Sequence, residues 1–267
     1  PPHGPALEIG ATLADAGVRT VDLSAAFRLD AKAFATWYGE DHPRPDLAPA
    51  VYGITEFARE QIADATLVAN PGCYVITALL GLVPLTPLIR PGTVIVDGKS
   101  GTTGAGRGMK DAMHTSHVGN SFTAYGAPAH RHTGEIEHYL GVHGTDVGQI
   151  SFTPHLLPIP RGLMVTAYAE LSEGVSAEQV QTSLEEAYRE EPFVEVLPPG
   201  TFPVTKAVVG SNQCQVSAVV DPRTRRVIVT SVTDNLVKGA AGSALQNANV
   251  MLGLEETAGL PRIGLYP

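Results

Sequence analysis

Cys73 stands in the segment Asn70-Pro71-Gly72-Cys73-Tyr74. The run Thr66 to Asn70 before it is short and apolar and predicts a buried strand. The run Cys73 to Leu80 after it predicts a helix. A thiol in the first turn of a helix faces unsatisfied N–H groups, which favour the thiolate and are expected to lower its pKa. Pro71 and Gly72 suit the sharp turn that would present the sulfur. This context points to a nucleophile, against the competing reading of a buried structural thiol. Cys214, in Asn212-Gln-Cys-Gln-Val216, has no such turn and is read as structural.

A nucleophilic thiol needs a partner for its proton. The segment Pro128-Ala-His130-Arg131-His132-Thr133-Gly-Glu135 supplies two imidazoles, with Thr133 a candidate cap for a following helix and His132 just ahead of it. His130, His132 and His138 could also ligate a metal, but the spacing is not His-Glu-x-x-His and no Cys pair accompanies it, so no metal is expected. His114 and His117 read as solvated or structural. The loop Gly101-Thr-Thr-Gly104-Ala-Gly106-Arg107-Gly108 could cradle an oxyanion on its N–H groups, with Arg107 as a charged fork. It is neither a phosphate-binding loop ending in Lys-Ser/Thr nor a Gly-x-Gly-x-x-Gly fingerprint. Arg28 and Arg161 also fall in turns beside predicted strands. Three such arginines in an acidic chain point to a small anionic substrate.

Several elements must position these groups. Residues 6 to 16 predict a helix stopped by Gly17, and Val18 to Ser24 a strand; together they read as the second half of a βαβ unit. Thr93 to Val96 predicts a strand before the Gly-rich loop, and further strands are predicted over 149–157, 162–171, 215–220 and 225–233. Ser176-Ala-Glu-Gln179 has the capping-box pattern of a helix start. A last helix is predicted over 236–252, with Leu236, Ala240, Ala244, Ala248 and Leu252 as its packing face. The class is α/β at the start, α+β in the middle and a helix at the end.

The composition narrows the partners. The chain has 267 residues, 43% hydrophobic and 17% charged, enough for a buried core. A net charge of −9 argues against nucleic acid and against a basic membrane-surface protein. No apolar run approaches the roughly 20 residues of a membrane helix, and no secretory signal is visible. Two Cys make no disulfide framework and point to a reducing, cytoplasmic setting.

Six segments in fixed order carry a resemblance: Asp22-Leu-Ser24-Ala-Ala-Phe-Arg28-Leu29, Asn70-Pro-Gly-Cys73-Tyr74, Lys99-Ser100-Gly-Thr-Thr-Gly-Ala105-Gly-Arg107, His130-Arg-His-Thr133 with Glu135-Ile136, Phe152-Thr-Pro-His155, and Asp234-Asn235-Leu-Val-Lys-Gly239-Ala-Ala-Gly242. Together they resemble the N-acetyl-gamma-glutamyl-phosphate reductases of arginine biosynthesis, from about Pro2 to the C-terminus. The resemblance implies the rear part of a Rossmann-type dinucleotide-binding domain joined to a mixed or antiparallel-sheet catalytic domain of the glyceraldehyde-3-phosphate dehydrogenase-like type. The implied divisions are 1–72 for the partial dinucleotide domain, 73–234 for catalysis and oligomerisation, and 235–267 for a helix returning to the first. The implied reaction is NADP(H)-dependent reductive dephosphorylation of N-acetyl-glutamyl 5-phosphate through a cysteine thioester, in a homodimer or homotetramer. Residue by residue, Cys73 matches the nucleophile and His132 the general acid/base. Arg107, Arg161, His130, Ser24 and Arg28 match the substrate site, and Pro2, Ser100, Gly101, Gly104, Ala105 and Asn235 the cofactor site. The family's N-terminal Gly-rich fingerprint is not in this chain, which opens Pro1-Pro2-His3 without Met. On the order of 80 residues, a βαβ unit and more, are expected ahead of Pro1.

Other readings stay open at this stage. A lysine-pathway reductase acting on a substrate one methylene longer differs by little that a pocket can discriminate. A cysteine hydrolase or acyltransferase would use Cys73 and His132 without nicotinamide, leaving Asn235 and the last helix without a task. A non-catalytic scaffold would have an inert Cys73.

Overall fold

The computed structural model describes residues 3–106, 108 and 114–266. Pro2 and Arg107 lie outside the described residues. Helix α1 (His3–Asp15) leads into β1 (Thr20–Asp22), and α2 (Ala31–Tyr38), β2 (Val51–Tyr52), α3 (Thr55–Asp64) and β3 (Leu67–Ala69) follow. The three strands form a parallel sheet in the order β1-β3-β2. The chain then runs through α4 (Cys73–Leu82), β4 (Ile95–Gly101), α5 (Thr115–Val118), β5 (Thr123–Ala124), α6 (His132–His143), β6 (Ser151–Leu157), β7 (Leu163–Glu170) and α7 (Ala177–Tyr188). It continues with β8 (Val194–Val196), α8 (Thr205–Val208), β9 (Cys214–Asp221) and β10 (Arg226–Thr233), and ends in a π turn (Val237–Ala241) and α9 (Gly242–Met251). Seven strands make a mixed sheet in the order β5-β6-β4-β7-β10-β9-β8. The α/β start and mixed-sheet remainder agree with the class read from sequence.

Helix α4 is the spine. Every residue from Tyr74 to Leu82 is buried, as its apolar character on all faces demands. It packs on β7 and β10 on one side and on α6 on another. The strict alternation of burial along β7, from Leu163 to Ala169, shows which face of the large sheet receives it. Helix α7 starts with the expected capping box, Ser176 accepting from the Gln179 N–H and Gln179 answering to the Ser176 N–H.

The last helix departs from the pattern read in the sequence. The chain first makes a π turn, with the Gly239 N–H donating to the Asp234 carbonyl and the Ala241 N–H to that of Leu236. One extra residue per turn shifts every later side chain around the axis. Of the expected packing face Ala244 is buried and Ala240 and Ala248 are half-buried, whereas Leu252, just past the helix end, is 60% exposed and Leu236, ahead of the turn, faces solvent too. Beside Ala244 and Met251 the buried face carries Ser243, Gln246, Asn247 and Asn249. Their hydrogen bonds explain why polar groups are tolerated there. Asn247 donates to the Gly53 carbonyl and to Asn70 Oδ1 and accepts from Thr55, while Ser243 donates to Asn70. In this way α9 packs on α3 and β1.

A wholly buried ion pair closes the same junction. Lys238 Nζ lies 2.5 Å from Glu56 Oε1 and 2.7 Å from Gln246 Oε1. Burial pushes the Glu56 carboxyl up, but the Lys238 charge and its hydrogen bond outweigh this and hold it below its ordinary value. Among the described residues no helix is long and apolar enough to cross a membrane. Lys238→Met leaves a buried carboxylate unpaired and should cost about 3–5 kcal/mol of unfolding free energy in urea titrations. Adding Glu56→Gln should recover most of that loss.

Candidate active site

A cavity of about 650 Å³ opens beside the carboxyl ends of the parallel strands. Its wall includes Ser24 and Ala25 after β1, Cys73 and Tyr74 at the start of α4, Ser100 and Gly101 at the end of β4, and His130, Arg131 and His132 at the start of α6. This is where an open α/β sheet offers a ligand site.

Cys73 is the first residue of α4, after the extended Gly72. Gly239 of the π turn lies behind it: a Cβ there would come within 2.9 Å of the Cys73 Cβ. Gly72 leaves room for two side chains in a related way. A Cβ on it would lie 2.5 Å from His132 Nε2 and 3.0 Å from Arg28 Nη1. The two groups thus converge on the residue preceding the sulfur.

Glu135 organises this convergence. Its buried carboxylate accepts from the Gly72 N–H at 3.0 Å and from Tyr52 Oη at 2.6 Å, and it pairs with Arg28 Nη1 at 3.3 Å. Burial opposes the Arg28 charge, yet the Glu135 carboxylate outweighs it and holds the guanidinium above its ordinary value. Arg28 also donates to the Leu23 carbonyl, and its own carbonyl accepts from Tyr139 Oη. Sequence reading placed Glu135 in a helix without giving it this task. The available signal was an acidic residue in the first turn of the helix, next to the apolar Ile136.

The electrostatics differ from the expectation for Cys73. Burial pushes its thiol up to about 11, against the pull of the Tyr74 N–H and the Arg28 charge. The helix N-terminus is present, but desolvation of the sulfur exceeds its effect. The imidazoles move the other way. Burial lowers His132 well below its ordinary value, helped by His130, Arg28 and Arg131. His130 falls to about 4, from burial and then the Arg131 charge. The resting site therefore pairs a protonated thiol with neutral imidazoles. Nδ1 of His132 is buried without a hydrogen-bond partner, and its backbone N–H donates to His130 Nδ1. Thr133 does not cap the helix. The helix already begins at His132, and the Thr133 hydroxyl is buried inside its first turn.

The remaining predicted residues divide between cavity and support. Ser100, Gly101, Gly104 and Ala105 line the wall, as do Arg28 and His130. Ser24 lines it with its hydroxyl donating to Asp22 at 2.6 Å. Asn235 and Arg161 are not among the lining residues. The Asn235 side chain accepts from the Gly162 N–H at 2.8 Å and donates to Thr103 Oγ1 at 2.9 Å, so it ties the loop after β4 to the β6–β7 turn. Arg161 Nη2 lies 2.6 Å from Asp234 Oδ2. Tyr38, Tyr125, Arg131 and His117 also line the cavity, though sequence reading gave none of them a role there. Among the described residues no group of three or more His, Cys, Asp or Glu could hold a metal ion. Cys214 is fully buried, and its thiol is pushed up to about 12.

Residues 73–235 match the family model of the semialdehyde dehydrogenase dimerisation domain. An N-acetyl-gamma-glutamyl-phosphate reductase of Desulfotalea psychrophila is 48% identical over 270 residues, covering 100% of this chain and 78% of the relative. One from Desulforudis audaxviator is 46% identical over 271 residues, with the same coverage. The chain belongs to the N-acetyl-gamma-glutamyl-phosphate reductase family. It is thereby an oxidoreductase family member of an amino-acid biosynthetic type. Aspartate semialdehyde dehydrogenase II from Vibrio cholerae superposes with a TM-score of 0.68 at 19% identity, over 92% of this chain and 77% of that one. That likeness is one of fold.

With the thiol protonated at rest, alkylation of Cys73 by iodoacetamide should accelerate about tenfold per pH unit from neutral pH toward its pKa of about 11. Cys214 should label far more slowly at every pH. A Cys73 rate already flat near neutrality would mean that the thiolate is preformed.

Proposed function

We propose that the chain carries out the NADPH-dependent reductive dephosphorylation of N-acetyl-glutamyl 5-phosphate to N-acetyl-glutamate 5-semialdehyde. The observation that carries it is a cavity whose wall holds both Cys73 and His132, close about Gly72, at the carboxyl ends of parallel strands.

The chemistry follows from the protonation states. His132, neutral because it is buried among positive charges, can take the Cys73 proton as substrate arrives. The sulfur then forms a bond to the acyl carbon, the C–O bond to phosphate breaks, and phosphate leaves with the electron pair. The N–H groups at the start of α4 point toward the sulfur's side of the turn and would stabilise the carbonyl oxygen as it becomes an oxyanion. Bound nicotinamide supplies a hydride at the level of the thioester. As the carbonyl re-forms and the C–S bond breaks, the aldehyde departs and His132 returns its proton to the Cys73 sulfur. Ser24, Arg28 and His130 face the substrate from the cavity wall.

The residues suit a dinucleotide's reactive end. The cavity lies where a parallel sheet presents its carboxyl ends, and the Ser100–Ala105 stretch forms its floor. Gly101 lets that stretch approach backbone closely, since a Cβ would come within 2.8 Å of the Ile159 carbonyl. Ser100, Gly101, Gly104 and Ala105 would hold the nicotinamide end, with Asn235 ordering the loop from behind. A homo-oligomer formed through the dimerisation-domain region fits the family match.

Cys73→Ser should abolish reduction and leave the urea midpoint unchanged. His132→Asn should lower kcat by about 100-fold or more, the usual contribution of a positioned acid/base, and His130→Asn by less. The reverse order of the two His variants would move the proton carrier to His130. A higher kcat/KM for the substrate one methylene longer would assign the enzyme to the lysine-type reaction instead.

A further inference from the structure

Two tyrosine hydroxyls are linked in the cavity wall, those of Tyr74 and Tyr125. Tyr74 follows Cys73 in α4. Its Oη donates its one hydrogen to the His155 carbonyl at 2.9 Å, since a carbonyl has none to give. The bond between the two hydroxyls, at 3.3 Å, is therefore donated by Tyr125. With its hydrogen committed, Tyr125 Oη has only lone pairs to offer a ligand. The arrangement is held at both ends. The Tyr125 N–H donates to the Pro154 carbonyl at 3.0 Å, so its backbone and, through Tyr74, its hydroxyl are both tied to β6. The Tyr74 ring lies against Gly98, where a Cβ would come within 2.7 Å of it, and meets Phe152 edge-on with ring centres 5.4 Å apart. The Tyr125 ring centre is 5.7 Å from that of His130, which is 4.8 Å from that of His132. Burial pushes the Tyr125 hydroxyl above its ordinary value, and negative charge at Cys73 acts in the same direction, so the hydroxyl keeps its hydrogen at neutral pH.

Resting on the proposed reaction, we propose that Tyr125 Oη accepts a hydrogen bond from the amide N–H of the substrate's acetamido group and is the specificity contact for that group. The substrate's carboxylate, phosphate and carbonyls all present lone pairs, which a hydroxyl with its hydrogen already given away does not bind. The amide N–H is the substrate's one donor once its acids are ionised. The amide nitrogen stands four bonds from the carbon that Cys73 attacks, and Cys73 and Tyr125 share one cavity wall, so a chain that short can reach both. An acceptor whose polarity the protein has already set needs no reordering when the donor arrives. It also disfavours the corresponding ester, whose oxygen would face the Tyr125 lone pairs.

Replacing that N–H by an oxygen atom tests the contact. In the reverse reaction, N-acetyl-glutamate 5-semialdehyde is compared with 2-acetoxy-5-oxopentanoate, its ester counterpart, at saturating inorganic phosphate and NADP+. The unmodified chain should favour the amide by about tenfold or more in kcat/KM. Tyr125→Phe should lower kcat/KM for the amide by about tenfold, leave the ester unchanged or improved, and leave the KM for NADP+ in place. Tyr74→Phe, which releases the Tyr125 hydrogen to turn toward a ligand, should narrow the same preference. Equal losses on amide and ester, no loss on either, or a preference left intact in Tyr74→Phe overturns the assignment. A rise confined to the NADP+ KM also overturns it and gives the hydroxyl to the cofactor. Calorimetry with N-acetyl-glutamate and 2-acetoxyglutarate needs no turnover: the unmodified chain should bind the amide about tenfold more tightly, and Tyr125→Phe should bind the two alike. That result in a chain that turns over neither semialdehyde would refute the proposed reaction and uphold the Tyr125 contact. Equal binding of the two by the unmodified chain, or binding of neither, would refute the contact whatever the turnover.

Discussion

A buried carboxylate in water-poor surroundings must be paired, and the pairing of Glu135 sets the geometry of everything near Cys73. Its two oxygens accept from three directions: Arg28 from the end of β1, Tyr52 from β2, and the Gly72 N–H from the turn after β3. Glu135 itself belongs to α6. The desolvation cost of such a group is offset only when all these donors are in place. The parallel sheet, the nucleophile turn and the helix bearing His132 are therefore locked to one another by a single charge. Loss of any one partner would loosen the relation between sulfur and imidazole.

The same burial explains the chemistry of the resting site. Helix α4 is apolar on every side because it runs through the middle of the molecule. Cys73 at its first turn inherits that desolvation, and its thiol stays protonated. His132, set in the same desolvated region among positive charges, stays neutral. Such a pair stores no reactive ion while idle. A negative charge brought beside such an imidazole favours its protonated form.

Support from behind comes from the C-terminal region. The π turn brings Gly239 against Cys73, and the adjacent Lys238 is anchored by Glu56 of α3. Asp234, just before the turn, accepts from Arg161 and from the Gly210 and Leu236 N–H groups. Asn235 beside it holds the loop after β4. These residues surround the cavity without entering it. They account for a cluster of polar side chains that an apolar-periodicity argument treats as solvent-facing.

Local sequence determined a good deal. Pro71-Gly72 after an apolar strand and before an apolar helix marked the turn that sets Cys73 at the start of α4, because strand, turn and helix each have short-range signatures. The strands expected over 149–157, 162–171, 215–220 and 225–233 are found at 151–157, 163–170, 214–221 and 226–233, and the capping box of α7 was legible from two residues. The ordered motifs carried the family. What needed the tertiary structure was everything set by neighbours distant in the chain. Glu135 meets Gly72 across 63 positions and Lys238 meets Glu56 across 182, and no window of sequence holds both partners. The direction of the Cys73 shift was missed for the same reason. A helix N-terminus is a local feature and argued for a lowered pKa, whereas desolvation is the sum of all that packs around the sulfur. The expected packing face of the last helix held in its middle, at Ala244, but not at Leu236 and Leu252, which lie ahead of the π turn and past the helix end. Propensity and spacing are properties of the chain; burial, pairing and charge balance are properties of the fold.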